Sequence, residues 1–351
     1  MIRTIGWGSR GRGLPLEPLE LERRDPGPRD VVIDILFCGI CHTDIHQVHD
    51  DWDSTEYPVV PGHEIVGRVR ATGGGTGRFA VGDLVGVGCM VGSCGRCRSC
   101  EEGLEQYCRT GPILTCNGRD PDTGRTTMGG YSGAIVVDEA FVLSLPDGLA
   151  PAAAAPLLCA GVTVHSPLRH HGVGSGSRVG IIGVGGLGHL GIRIASAMGA
   201  HTVAFTTTPA KARDALALGA SRAVVTTEEG ALDDLADGFD LLLSTIGTPH
   251  DINPFLPLLR RDGSYVLLGS LEPTPPVVGA LLAMPRRSIT ASLIGGIAET
   301  QETLDFCAEH GITADVETIR VQDVGTAFER TVAKDVRYRF VIDMSSLTEG
   351  R

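Results

Sequence analysis

Arg178-Val179-Gly180-Ile181-Ile182-Gly183-Val184-Gly185-Gly186-Leu187-Gly188 joins two different kinds of local structure. Its first half reads as a short apolar strand. Its second half is a G-x-G-x-x-G turn through Gly183, Gly185 and Gly188, with Gly186 and Leu187 inside it. Leu187, Leu190, Ile194 and Met198 then recur at helical spacing. Three glycines alone say little. Between a strand and an amphipathic helix they form a dinucleotide fingerprint, because glycine permits the tight turn and the close approach of a pyrophosphate to N–H groups at the helix start.

Downstream the alternation continues. Strands are expected over 178–183, 202–206, 223–225, 240–245, 264–269 and 288–293, with a helix over 210–218 that stops at Gly219. Six short strands alternating with helices predict a doubly wound parallel sheet. The second strand ends in Thr206-Thr207-Thr208-Pro209-Ala210-Lys211, with no carboxylate to hold a ribose diol. The hydroxyls of Thr206 and Thr207 and the ammonium of Lys211 favour the 2′-phosphate of NADP(H).

Upstream the texture changes. From residue 19 to about 146, short β-type runs such as Val31-Val32-Ile33-Asp34-Ile35 alternate with Gly, Pro and Asp turns, as in a small all-β barrel. Residues 148–168 lack any charged residue, but Pro151, Pro156 and Pro167 argue against a lipid-exposed helix and for a buried segment. After residue 294 the strand–helix rhythm stops, so the tail is expected to rejoin the first domain. The division predicted is 1–152 with 294–351 as a β-rich domain, and 153–293 as the dinucleotide domain.

A length of 351 residues suits two domains. Thirty Lys and Arg against 42 Asp and Glu give a net charge of −12, which makes nucleic acid a poor partner. The first residues carry no apolar run of signal-peptide type, and no membrane segment is expected, so a soluble cytoplasmic protein is predicted. In that setting the ten cysteines read as metal ligands before disulfides. Cys94-x2-Cys97-x2-Cys100-x7-Cys108 has the spacing of a closed four-thiolate zinc site. A second set is dispersed: Cys41 and His63 supply two candidate ligands, and Cys159, in the uncharged segment, a third. His42, His46 and His49 compete for the same role on spacing alone.

Several stretches carry a resemblance: GICHTDIH (39–46), YPVVPGHEIVG (57–67), the four-cysteine loop, GGYS (129–132), AAPLLCAG (154–161), GVGGLG (183–188), GGIAETQE (295–302) and DVRYRFVID (335–343). In these, in order and across nearly the whole chain, it resembles the zinc-dependent medium-chain alcohol dehydrogenases of the cinnamyl-alcohol-dehydrogenase-like branch. The resemblance implies an α/β fold, a GroES-like β-rich catalytic domain plus a doubly wound Rossmann domain. It implies two Zn2+ per chain, a catalytic one on Cys41, His63 and Cys159 and a structural one on Cys94, Cys97, Cys100 and Cys108. Glu64 is expected beside the catalytic ion, and Asp44 is expected to orient the His63 ring, to cap the following helix, or both. Thr43 and His46 would form a proton relay, Thr163 would lie near the nicotinamide, His42 near the pyrophosphate, and Arg337 is a further cofactor candidate. A homodimer through the Rossmann domain is also implied.

The expected activity is reversible hydride transfer between small primary alcohols or aldehydes and NADP(H), mainly as an aldehyde reductase on aromatic or medium-chain aldehydes. A conjugate (C=C or C=N) reductase of the same family is the alternative, disfavoured because Thr43 and His46 are kept. A non-enzymatic zinc-ribbon module would leave the glycine turn unexplained. Trp52, Met90 and Cys116 are expected to line the substrate pocket. Cys116 stands where the branch commonly has Tyr, and Asp53 where it commonly has Gly, so a cinnamyl preference does not follow.

Overall fold

In a computed structural model of the chain, residues 1–121, 123–269 and 272–348 are described. Two compact units emerge, Met1–Cys159 with Gly295–Arg351, and Ala160–Ile294. Residues 349–351, the end of the expected 294–351 segment, lie outside the described residues.

The first unit is organised around the strand Asp30–Gly39, whose β-branched run Val31-Val32-Ile33 suits a pleated, buried position. It pairs antiparallel with Ile65–Thr72, Ala134–Asp138 and Arg339–Asp343. Val31, Ile33, Val59, Val60, Ile65, Val85, Tyr131 and Phe340 form part of its buried apolar core. Register then does the positioning. Cys38 faces Ile65 and Gly39 faces Val341, while the Gly39 N–H donates to the Glu64 carbonyl and the Ile40 N–H to the Phe340 carbonyl, both at 2.9 Å. Three segments far apart in sequence therefore end side by side: Gly39 to Cys41, His63 to Glu64, and Arg339 to Phe340.

The second unit holds six parallel strands: Arg178–Ile182, His201–Thr206, Arg222–Val225, Phe239–Ser244, Leu259–Leu267 and Ser288–Ala291. Their spatial order is third, second, first, fourth, fifth, sixth. That order reverses direction between the first and fourth strands, the switch point where doubly wound sheets bind their ligands. The fifth strand starts earlier than expected. Arg260-Arg261-Asp262-Gly263 reads as a turn, but Leu259 pairs with Phe239 across a bulge, and both are fully buried. The sixth strand is shorter than expected and lies at the sheet edge.

The uncharged segment folds as a turn of helix over Pro151–Ala154, a 3-10 turn over Ala155–Leu158 and the helix Ala160–His170. Pro151 opens the first and Pro156 sits in the second. Pro167 lies inside the third, so only two of the three prolines stand where the helical path is interrupted. Among the described residues no helix is long and apolar enough to cross a membrane.

Candidate active site

The converging strand ends of the first unit bring Cys41, His63 and Glu64 together, and Cys159 joins them from the end of a 3-10 turn. One ligand atom from each lies within 4.8 Å of all the others, and all four residues are buried. Cys41 precedes the helix His42–His49, and Cys159 caps the 3-10 turn Ala155–Leu158. Gly39 is required here, since a Cβ at that position would collide with the Glu64 carboxylate.

Asp44, only 1 % exposed, organises the cluster. It accepts from the Cys41 N–H at 2.9 Å, the Gly62 N–H at 2.8 Å, His63 Nδ1 at 3.1 Å and the Tyr131 hydroxyl at 3.2 Å. Capping and ring orientation thus fall to one carboxylate. A proton held on Nδ1 leaves His63 Nε2 as the ligating nitrogen.

The cluster is built for a cation. Cys159, as a thiol donor, pulls the Cys41 pKa well below its usual value, against burial. The pKa of Cys159 is pushed well above its own usual value, first by Cys41 and then by Cys89. Burial raises the Glu64 carboxyl to about 7, opposed by Arg339 and reinforced by Cys41. Glu64 Oε1 is ion-paired with the buried Arg339, whereas Glu64 Oε2 is buried with no hydrogen-bond partner among the described residues. Two thiol groups, one imidazole nitrogen and a carboxylate oxygen within 4.8 Å of one another fit zinc.

Thr43 Oγ1 lies 3.7 Å from Cys41 Sγ. His46 Nδ1 meets Asp51 Oδ2 at 2.7 Å, its ring is 5.0 Å from that of Trp52, and the ring of His42 is 6.3 Å away. Thr43 is thus placed beside the Cys41 thiol, and His46 beside Asp51 and Trp52 at the other end of the same helix. Met90 and Cys116 are buried, and burial pushes the Cys116 thiol up to about 12, whereas Trp52 is 41 % exposed.

The thiols of Cys94, Cys97, Cys100 and Cys108 form the other group within 4.8 Å, with Cys97 and Cys100 sulfurs 3.5 Å apart. The Cys94 N–H donates to Cys108 Sγ and the Arg109 N–H to Cys97 Sγ, each at 3.4 Å. That Arg109 N–H is the first cause of a lowered Cys97 pKa. Burial opposes ionisation of Cys108, yet the Thr110 hydroxyl and nearby N–H groups bring it down to about 6. Between Ser93 and Arg109 only Gln106 and Cys108 are buried, so the loop has no apolar core of its own. Four thiols in such a loop fit a structural zinc.

In the second unit the glycine turn has the required features. Gly183 sits at φ +95, Gly185 has open space where a Cβ would stand, and a Cβ on Gly188 would strike the Gly183 carbonyl. Gly186 and Leu187 complete the turn into the helix Gly188–Ala197. Thr206 ends its strand nearly buried, Thr207 is exposed and Lys211 half-buried. The Thr208 hydroxyl accepts from the Lys211 N–H at 3.4 Å as the cap of Pro209–Ala217, which commits one of the three hydroxyls. Thr163 is buried in Ala160–His170. His42 and Arg337, both exposed, belong to the first unit.

Two residues of the buried cluster lay outside the sequence reading. Arg339 stands within DVRYRFVID and Tyr131 within GGYS, and only the fold reveals that one meets Glu64 and the other Asp44.

Comparison with known proteins agrees with this picture. Residues 27–147 match the family model for the alcohol dehydrogenase GroES-like domain, and residues 186–309 that for zinc-binding dehydrogenases. The chain is 52 % identical to aldehyde reductase YahK of Escherichia coli K12, over 99 % of each chain. It is 51 % identical to NADP-dependent alcohol dehydrogenase C of Mycobacterium bovis, over 95 % of this chain and 96 % of that one. A solved cinnamyl alcohol dehydrogenase from Sorghum bicolor superimposes with a TM-score of 0.94 at 40 % identity, covering 98 % of both chains.

Proposed function

The chain belongs to the zinc-dependent medium-chain alcohol dehydrogenases, of the cinnamyl-alcohol-dehydrogenase-like branch, and we propose that Cys41, His63 and Cys159 hold the ion at which it interconverts primary alcohols and aldehydes. It is an enzyme of NADP(H)-dependent alcohol and aldehyde oxidoreduction, with zinc as its metal. When bound, zinc supplies Lewis acidity toward a carbonyl or hydroxyl oxygen, and NADP(H) supplies or accepts the hydride.

The chain's own residues do the rest. Asp44 fixes the His63 ring, and Arg339 balances the charge of Glu64 beside the ligand cluster. The Thr43 hydroxyl takes the proton of the substrate alcohol in oxidation and returns one in reduction. His46, held by Asp51, exchanges it with solvent. Thr206, Thr207 and Lys211 receive the 2′-phosphate, and Gly185 leaves room for the pyrophosphate. Trp52, Met90 and Cys116 border the substrate, and replacing a Tyr-sized group by Cys116 suits aromatic or medium-chain aldehydes.

The observation that carries this reading is the convergence of Cys41, His63, Glu64 and Cys159 within 4.8 Å, with Glu64 Oε2 unsatisfied. An NADPH-consumption screen with product identification tests it. Saturated and α,β-unsaturated aldehydes should both yield alcohols; a saturated aldehyde as sole product from an enal would point to conjugate reduction.

A homodimer is part of the proposal. The sixth strand, Ser288–Ala291, is a sheet edge, flanked by Met284 at 88 % and Leu293 at 46 % exposure, and pairing two such edges would cover both. Light scattering should give twice the chain mass, and Met284→Glu should lower it. A cytoplasmic, reducing setting suits ten cysteines without a disulfide among them.

A further inference from the structure

The fourth strand of the second unit, Phe239–Ser244, runs beside the first, with Ser244 opposite Ile182. Thr245 therefore stands next to the first glycine of the turn. Its N–H donates to the Ile182 carbonyl at 2.9 Å, and its hydroxyl lies 3.0 Å from that oxygen and 3.2 Å from the Gly183 carbonyl. A Cβ on Gly183 would come within 2.9 Å of Thr245 Oγ1, and one on Gly188 within 3.2 Å. The hydroxyl thus occupies the wedge that the first and last glycines of the turn leave open.

Thr245 is itself held. His250 Nδ1 donates to the Thr248 carbonyl at 3.0 Å, so its Nε2 is an acceptor, and the Ser244 and Tyr265 hydroxyls each reach it at 3.1 Å. Tyr265 is fully buried, so segment 244–250 is anchored to the sheet. With the Gly183 carbonyl tied to Thr245, the turn presents N–H groups rather than a carbonyl oxygen to an incoming anion.

We propose that Thr245 is a positioning residue, whose hydroxyl holds the glycine turn in its pyrophosphate-binding shape and so sets the affinity for NADP(H). This rests on the cofactor assignment made above. The test is direct titration of the full-length, zinc-loaded enzyme with NADPH, followed by fluorescence, for the unmodified chain, Thr245→Val and Thr245→Ser. Losing one neutral hydrogen bond should raise the Kd of Thr245→Val about 3- to 10-fold. The KM for NADPH should rise by a similar factor while that for the aldehyde does not. Thr245→Ser, which keeps the hydroxyl, should stay within about twofold of the unmodified enzyme. Should Val not be accommodated, Thr245→Ala removes the same hydroxyl without demanding space and should show the same rise. Unchanged NADPH affinity in the hydroxyl-free variants, or an equal loss in the Ser variant, overturns the proposal. Failure of the unmodified chain to bind NADPH is a different result: it overturns the cofactor assignment, and this proposal with it.

Discussion

The two thiol-bearing clusters of the first unit reach the same aim by opposite means. Cys94, Cys97, Cys100 and Cys108 sit in one loop with no apolar core of its own, ordered by two short helical turns, by N–H groups that donate to their sulfurs and by the Ile297 N–H that donates to Glu105. Cys41, His63, Glu64 and Cys159 come from separate elements, and a buried carboxylate, a salt bridge and strand register hold them before any ion arrives. On the proposed ligand assignment, a metal would complete the structure of the first, whereas in the second the structure builds the metal site. A site that must keep one position open for a substrate needs the second kind of support.

The widest separation of the two clusters comes from ligand removal. His63→Ala should lower zinc from two ions per chain to one and cut aldehyde reduction by at least about 10³-fold, the loss of several kcal/mol of charge stabilisation, while the first unit stays folded. Cys100→Ser should also lower zinc by one ion, but its first effect should be proteolytic cleavage within the loop around residues 93–109. Elemental analysis with limited proteolysis separates the two outcomes. If both variants lost structure alike, the contrast would fail.

Next in size, Thr43→Ala should lower turnover by about 10²- to 10⁴-fold, with two zinc ions retained, because only general acid–base assistance is removed. His46→Gln should do less, since water reaches the outer end of the relay. Near-normal turnover in Thr43→Ala, with chemistry rate-limiting, would remove Thr43 from the mechanism.

A change in the second unit should leave both clusters untouched. The unmodified enzyme should favour NADPH over NADH by at least about tenfold in kcat/KM, since one hydrogen bond to a charged group contributes about 1.5–3 kcal/mol. Thr206→Asp should erase or reverse that ratio at constant zinc content. A Thr206→Asp enzyme that still prefers NADPH would show that the phosphate is held elsewhere.

The smallest effect expected is at Tyr131. Tyr131→Phe removes one of four donors to Asp44 and should weaken retention of the ion on His63 by about 10-fold, measured as its release to a chromophoric chelator. Release from the four-thiol loop should not change.

How much of this could be read beforehand follows the same division. The four-cysteine loop and the glycine turn are local patterns, in which spacing alone fixes geometry, and both were legible. The dispersed cluster was legible only through resemblance, because spacing could not choose Cys159 over His42, His46 or His49. Arg339 and Tyr131 stayed hidden although their motifs were in view. Arg339 reaches the site through its strand, where a register shift of one residue would turn the side chain away, and Tyr131 through a loop, where its N–H donates to the Pro61 carbonyl at 2.9 Å, beside His63. The early start of the fifth strand was hidden for a similar reason: Arg260-Arg261-Asp262-Gly263 has turn chemistry, and only the buried pair of Phe239 and Leu259 overrides it.

We propose that catalysis depends on the ion held by the buried cluster, and not on the ion held by the loop. Following zinc content and NADPH-dependent aldehyde reduction together during stepwise chelation tests it most directly. Two zinc ions per chain are predicted at the outset, with activity falling in step with the first ion released and absent once a single, thiolate-bound ion remains. Full activity in protein holding one zinc per chain would contradict it.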